Sequence, residues 1–121
     1  MLEGTIVILY VDSPARSAEF YAALLGRDAI EASPTFAMFV LREGTMLGLW
    51  SRHTVEPSPG GTGGMTEIGF HADSNAEVDA LHERWRGNGV PIAQAPVDLD
   101  FGRTFLALDP DGHRLRVFAP A

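Results

Sequence analysis

Few residues in this chain carry groups that do chemistry, and their spacing is informative. The histidines are His53, His71, His82 and His113. His82-Glu83-Arg84-Trp85 lacks the second histidine that a zinc-binding His-Glu-x-x-His helix needs. Glu67 and His71 are four positions apart; on a strand they share a face but stand about 13 Å apart, too far to grip one ion. There is no cysteine, which excludes disulfides, thiolate metal sites, iron–sulfur clusters and thiol nucleophiles together. Near the C-terminal end, Asp109-Pro110-Asp111-Gly112 has the chemistry of a tight turn, with Pro presetting φ, Asp bonding backbone and Gly accepting positive φ. The strand it opens places Arg114 and Arg116 on one face. A permanent cation there repels a divalent ion, so this strand decides between a metalloenzyme and a binding protein.

The aromatic residues suggest the second possibility. Trp50 ends an apolar run and is followed at once by a Pro- and Gly-containing segment, a rim position. An indole at a rim stacks on a flat ring for about 0.5–1.5 kcal/mol beyond burial, and on a cation by a similar amount. A tryptophan in the core is the competing assignment.

At 121 residues the chain is long enough for one domain with a real core. A hydrophobic share of 45% and a charged share of 21% are those of an ordinary soluble protein. No apolar run approaches the roughly 20 residues that span a bilayer. Met1-Leu2-Glu3-Gly4 lacks the basic region of a secretory leader, so no membrane is expected and a cytoplasmic location is. A net charge of -7 argues against nucleic acid, whose phosphates need clustered Lys and Arg.

The elements that must position these residues come in two similar sets. Residues 5–11 form an apolar run of strand length; Ser13 and Pro14 then open a helix that Gly26 closes. Strands are expected at 29–32, 36–41 and 46–50. The order repeats: a strand at 66–72, a helix with Ser74 and Glu77 as a capping box, a stop at 87–89, and strands at 92–95, 104–108 and 113–118. At an offset of 61, Asp12-Ser13 falls on Asp73-Ser74, Phe20 on Leu81 and Leu24 on Trp85. This is a duplicated strand–helix–three-strand unit in a single domain: module one at 1–50, module two at 65–121. The segment 51–64 between them, with Glu-Pro-Ser-Pro-Gly-Gly-Thr-Gly-Gly at its centre, is expected to be a flexible linker. It lacks the Lys-Ser/Thr of a phosphate-binding loop.

The doubled unit, with Phe20-Tyr21, Leu24-Leu25-Gly26 and Asp109-Pro110-Asp111-Gly112 at these spacings, resembles the vicinal oxygen chelate superfamily over nearly the whole chain. That group holds glyoxalase I, extradiol dioxygenases, fosfomycin-modifying enzymes and bleomycin-resistance proteins. The resemblance implies an α+β fold, two βαβββ modules forming curved mixed sheets, and cavities between paired sheets. Metal-chelating members use the first and last strand of each module, and by the motif registers those places fall on Ile6, Gly48, Glu67 and Arg116. Ile6 has no donor atom, Gly48 no side chain, and Arg116 carries a positive charge. Glu67 alone is not a site for zinc, iron or manganese. No metal and no cofactor are therefore expected.

With those four places facing the cavity, strand alternation adds Ile8, Tyr10, Met46, Trp50, Gly69, His71, Arg114 and Phe118 to its lining. Gly48 beside Trp50 is expected to leave room for a flat ligand on the indole. The stretch 97–104 is expected to be a loop placing Phe101 and Arg103 over the cavity mouth. There Arg103 either meets a ligand carboxylate in a two-bond fork or pairs with Asp98 or Asp100. Trp50, Glu67-Ile68-Gly69 and Phe101-Gly102-Arg103-Thr104 look like the branch of the superfamily that confers resistance to phenazine antibiotics. That resemblance implies a homodimer with two sites at the subunit interface, which stacks its ligand without metal or chemistry. The candidate binding residues are thus Tyr10, Met46, Gly48, Trp50, Glu67, His71, Phe101, Arg103, Arg116 and Phe118, and no residue is assigned catalysis. The expected function is metal-independent binding of a planar aromatic small molecule, giving antibiotic resistance by sequestration. The alternative is a divergent glyoxalase-like lyase, isomerase or oxygenase, using a divalent metal or Glu67 raised in pKa by burial as general base. The linker and the acidity also permit a regulatory or interaction module.

Overall fold

A computed structural model describes residues 3–121; Met1 and Leu2, part of the N-terminal stretch read for a leader, lie outside the described residues. The chain divides into two compact units, the first ending at Gly61 and the second beginning at Thr62.

The first unit runs β1 (Thr5–Val11), α1 (Pro14–Leu25), β2 (Glu31–Ala32), β3 (Phe36–Arg42) and β4 (Thr45–Ser51), in sheet order β1-β4-β3-β2. β1 lies parallel to β4, and β3 antiparallel to β4. Helix α1 starts where Ser13, in extended backbone, accepts a hydrogen bond from the Arg16 N–H. It ends at Gly26, whose φ of 68° lets its N–H turn back to the Ala22 carbonyl. The helix buries Tyr21 completely, with its ring 6.4 Å from that of Phe39. Around this contact Leu9, Val11, Leu47 and Leu49 close the core, each fully buried apolar side chain contributing about 1.5–3 kcal/mol.

The second unit repeats the plan: β5 (Glu67–His71), α2 (Asn75–Gly87), β6 (Ile92–Leu99), β7 (Gly102–Leu108) and β8 (Arg114–Pro120), in order β5-β8-β7-β6. β5 is parallel to β8, as β1 is to β4. Ser74 accepts from the Glu77 N–H at 3.1 Å, so the N-terminal cap forms as its spacing requires. Trp85 stands edge-on to Phe105 and to Phe70, with ring centroids 5.3 and 6.4 Å away. The fold is therefore α+β, with two four-stranded mixed sheets and one helix on each.

Two expectations are corrected. Residues 97–104 are not a loop: β6 continues to Leu99 and β7 begins at Gly102, leaving only Asp100 and Phe101 to turn the chain. Gly102 makes this turn possible with a φ of 137°, packed so close to β8 that a Cβ would lie 2.0 Å from the Ala119 carbonyl oxygen. Pro96, which cannot donate to a ladder, sits within one of the two register shifts that let β6 run on past residue 95. The segment between the modules is also held at both ends. The Arg52 N–H bonds the Val11 carbonyl, Val55 is buried, and His53 Nε2 lies 2.7 Å from Asp12 Oδ1. At its far end Gly63 packs on the β7–β8 turn, where a Cβ would meet the Asp111 carbonyl oxygen at 2.7 Å.

Candidate functional site

Strand alternation assigns each sheet a face covered by its own helix and an open face. In the first unit the helix side holds the buried Leu9, Val11, Ala37, Phe39, Leu47 and Leu49. The open face is the complementary set, and the strand registers arrange it in three rows across β1, β4 and β3: Tyr10–Trp50–Phe36, Ile8–Gly48–Met38 and Ile6–Met46–Val40. None of these nine residues is charged. Ile6 and Tyr10 are each 43% exposed and Ile8 38%, while Met46 and Trp50 are half-buried.

The row of rings is the most ordered feature of this face. Trp50 sits between Tyr10 on one neighbouring strand and Phe36 on the other, and the Phe36 ring stands perpendicular to the indole at 6.1 Å. Gly48 does not leave the vacant shelf its composition suggests. A Cβ there would meet Phe36 Cζ at 3.1 Å and Ile6 Cδ1 at 3.2 Å, so neighbouring side chains already fill the space. The glycine makes room for Phe36, a residue that sequence reasoning missed. Counting β3 in phase with Gly48 would have found it, along with Met38.

The open face of the second unit is built from the equivalent rows Glu67–Arg114–Leu108, Gly69–Arg116–Leu106 and His71–Phe118–Thr104. Its chemistry is ionic. Arg116 donates Nε to Glu67 Oε2 at 2.7 Å and Nη2 to Oε1 at 2.9 Å, a two-bond fork. Its Nη1 reaches Thr104 Oγ1 at 3.2 Å, and the Thr104 hydroxyl donates to the Val117 carbonyl. Arg114 Nε stands 3.5 Å from Glu67 Oε1. The Arg116 hydrogen bonds hold the Glu67 carboxyl below its ordinary pKa; burial pushes the other way and loses, and the charges of Arg116 and Arg114 add to the lowering. Arg116 is raised in turn, first by its bond to Glu67. A carboxylate so held is a weak base, which removes the expected route to a Glu67 general base.

Aromatic edges frame this ion pair. Phe118 is perpendicular to His71 at 5.5 Å and nearly so to Phe101 at 6.3 Å. The Arg116 guanidinium lies 6.0 Å from the Phe101 ring centre. Phe101 projects from the β6–β7 turn, 46% exposed. Arg103 is elsewhere. It lies in β7 one position out of phase with Thr104, and its Nε and Nη1 bond Asp79 Oδ1 of α2 at 2.7 Å and Asp98 Oδ1 at 3.0 Å. Of the two expectations for Arg103, the pairing with Asp98 is the one the structure shows, and the perch over a cavity mouth is corrected: the residue ties helix to sheet on the covered face.

The metal-binding chemistry of chelating relatives does not fit these residues. Ile6 and Gly48 offer no donor, Arg116 is cationic, and both oxygens of Glu67 are engaged by Arg116. Among the described residues there is no group of three or more His, Cys, Asp or Glu able to hold an ion.

Two sheets of the same strand order and direction, one helix to each, and equivalent open faces define a duplicated βαβββ protein. A family model described as the Glyoxalase/Bleomycin resistance protein/Dioxygenase superfamily matches residues 5–117, and the chain belongs to that superfamily. The chain is 29% identical over 115 residues to the phenazine antibiotic resistance protein EhpR of Enterobacter agglomerans, a match covering 91% of this chain and 86% of that one. An Agrobacterium tumefaciens protein solved by solution NMR shares 52% identity at a TM-score of 0.90, over 100% of this chain and 99% of its own. A glyoxalase/bleomycin resistance protein/dioxygenase from Nocardioides is 27% identical with a TM-score of 0.81, over 96% and 82% of the two chains.

Proposed function

We propose that this chain is a metal-independent binding protein for a planar aromatic small molecule, working as a homodimer and giving antibiotic resistance by sequestration. The observation that carries the proposal is the row Tyr10–Trp50–Phe36: three rings side by side on neighbouring strands, on a face without charge. Strands about 4.8 Å apart space such rings to cover a fused aromatic system, each good contact worth about 0.5–1.5 kcal/mol beyond area. The relationship to EhpR, whose name assigns it to phenazine antibiotics, supports the same class of ligand. The donor-poor positions Ile6 and Gly48 and the locked Glu67 favour binding over metal-assisted lyase, isomerase or oxygenase chemistry. A second copy of the chain is the proposed partner, because monomers rarely leave so continuous an apolar face to water.

Titration with phenazine, followed by tryptophan fluorescence and calorimetry, tests the proposal. Binding quenches the half-buried Trp50, while Trp85 is buried against Phe70 and Phe105 and serves as the internal reference. Trp50→Ala weakens binding by about two- to tenfold. An unchanged affinity refutes the stacking role of Trp50, and an affinity that collapses in chelator refutes metal independence. Sedimentation checks the dimer.

A further inference from the structure

Helix α2 carries two charges that nothing among the described residues pairs. Asp79 is bonded to Arg103 of β7, and Glu83 stands 3.7 Å from Arg86 and 3.5 Å from His82. The side chains of Glu77 and Arg84 have no ion-pair or hydrogen-bond partner among the described residues, and both residues are exposed. Between them Ala80 is exposed and Leu81 half-buried, while Val78 and Trp85 turn into the core. Glu77, Ala80, Leu81 and Arg84 together line a groove of about 290 Å³. Their spacing makes one stripe over two turns, with Glu77 and Arg84 about 10 Å apart along the axis.

The stripe is self-complementary. A two-fold axis crossing it midway between Ala80 and Leu81 brings Glu77 opposite Arg84 of a second copy, and Arg84 opposite its Glu77. The same rotation sets Ala80, the smallest of the four, opposite Leu81 of the second copy, so a large side chain meets a small one at the centre. Towards the helix ends Asp73 comes opposite Asn88, and no like charges meet. A parallel arrangement sets Glu77 on Glu77 and Arg84 on Arg84, so charge selects the antiparallel one. We propose that α2 is a contact between two copies of this chain, an antiparallel helix pair closed by two Glu77–Arg84 ion pairs around Ala80 and Leu81. Four residues a side are few against the roughly 20–30 of a stable interface, so the contact is weak and transient. It lies on a helix of the second unit, away from the apolar face of the first through which the homodimer is proposed. It therefore joins dimers rather than forming them, and the two contacts stand or fall separately.

The chain has no cysteine, so a single introduced one reports the contact. In the full chain Ala80→Cys lies beside the two-fold axis, and mild oxidation joins it to its copy. Met65→Cys, at a position 92% exposed, measures random collision. Joining through position 80 should be about tenfold or more faster than through position 65. Arg84→Glu, added to Ala80→Cys, turns both attractions into repulsions and slows joining about tenfold. Adding Glu77→Arg as well restores the match with its signs exchanged and returns the rate to within about twofold. Glu77→Gln and Arg84→Gln, gentler on the helix, each slow joining about two- to fivefold. Circular dichroism checks that every variant folds. Joining at position 80 no faster than at position 65, or a double reversal as slow as the single one, overturns the helix pair. Sedimentation keeps the two contacts apart: Arg84→Glu removes the larger assembly and leaves the dimer. Loss of the dimer itself in Arg84→Glu assigns the dimer contact to α2 and overturns the apolar-face dimer instead.

Discussion

Replacing Glu67 by Gln removes the charge around which the second open face is organised. The carboxylate accepts from Arg116 at 2.7 and 2.9 Å, with side-chain exposures of 32% for Glu67 and 18% for Arg116. Exposed ion pairs contribute about 0–1 kcal/mol, and breaking a buried pair costs about 3–5 kcal/mol. This pair lies between, with good geometry and partial access to water, so Glu67→Gln should cost about 1–2 kcal/mol near neutral pH. In a chain of this size that lowers the melting temperature by about 4–8 °C. The pH dependence is the sharper signature. Because Arg116 holds the folded-state pKa of Glu67 below its ordinary value of 4.5, the folded protein binds the proton less readily than the unfolded chain does. The stabilisation is therefore complete above the unfolded carboxylate's pKa and is lost as pH falls through the lower folded value. Urea unfolding of wild type and Glu67→Gln, followed by circular dichroism from neutral to acid pH, should show a gap that is full near neutrality and closes in acid. A gap of constant size throughout would refute the ionised pair as its source.

Two further substitutions probe the corrected parts of the fold. Arg103→Gln should lower the urea midpoint of unfolding slightly by freeing α2 from the sheet, since Arg103 joins Asp79 and Asp98. It should leave the affinity for phenazine within about twofold, and a loss of about tenfold by calorimetry would return Arg103 to the binding face. Gly102→Ala should cost about 3 kcal/mol or more in urea unfolding, because it combines a φ of 137° with a Cβ only 2.0 Å from the Ala119 carbonyl oxygen. A cost below about 1 kcal/mol would show that the β6–β7 turn has another conformation open to it.

Much of the architecture was legible because local signals agreed with the fold. Ser13 with Pro14, Ser74 and Gly26 mark helix ends by backbone chemistry that does not depend on tertiary context, and all four positions act as their types require. Alternation likewise placed Tyr10, Trp50, Glu67, His71, Arg116 and Phe118 on open faces, since a strand fixes side-chain direction by parity alone. What failed depends on distant partners. The 97–104 stretch reads as a loop because Asp98, Asp100 and Gly102 are turn residues by composition. In the structure Asp98 instead pairs with Arg103 across the hairpin and Gly102 fits beneath the carbonyl of Ala119. Gly48 reads as a gap because the sequence does not show that the Phe36 ring, twelve residues earlier, leans into it. Arg103 lies one position from Thr104, and that single step of parity moves its guanidinium to the opposite face of the sheet.

The two open faces also show how one repeat acquires two chemistries. In the first unit Ile6 is in register with Met46, yet its Cδ1 lies over Gly48, two residues further along β4. In the second unit Glu67 is in register with Arg114, yet its short bonds run to Arg116, two residues further along β8. Both sheets therefore join the same diagonal of a parallel strand pair, once by hydrocarbon and once by charge. Each diagonal is a matched set. Ile6 needs the bare backbone of Gly48, and Glu67 needs a cation, because either member of an ion pair left alone on a half-buried face keeps its desolvation cost without the attraction that offsets it. Neither pair can be converted into the other one residue at a time without passing through a clash or an unpaired charge. The fold thus holds two faces of different polarity on one backbone plan, and the residues on that diagonal, rather than the topology, decide what each face can bind.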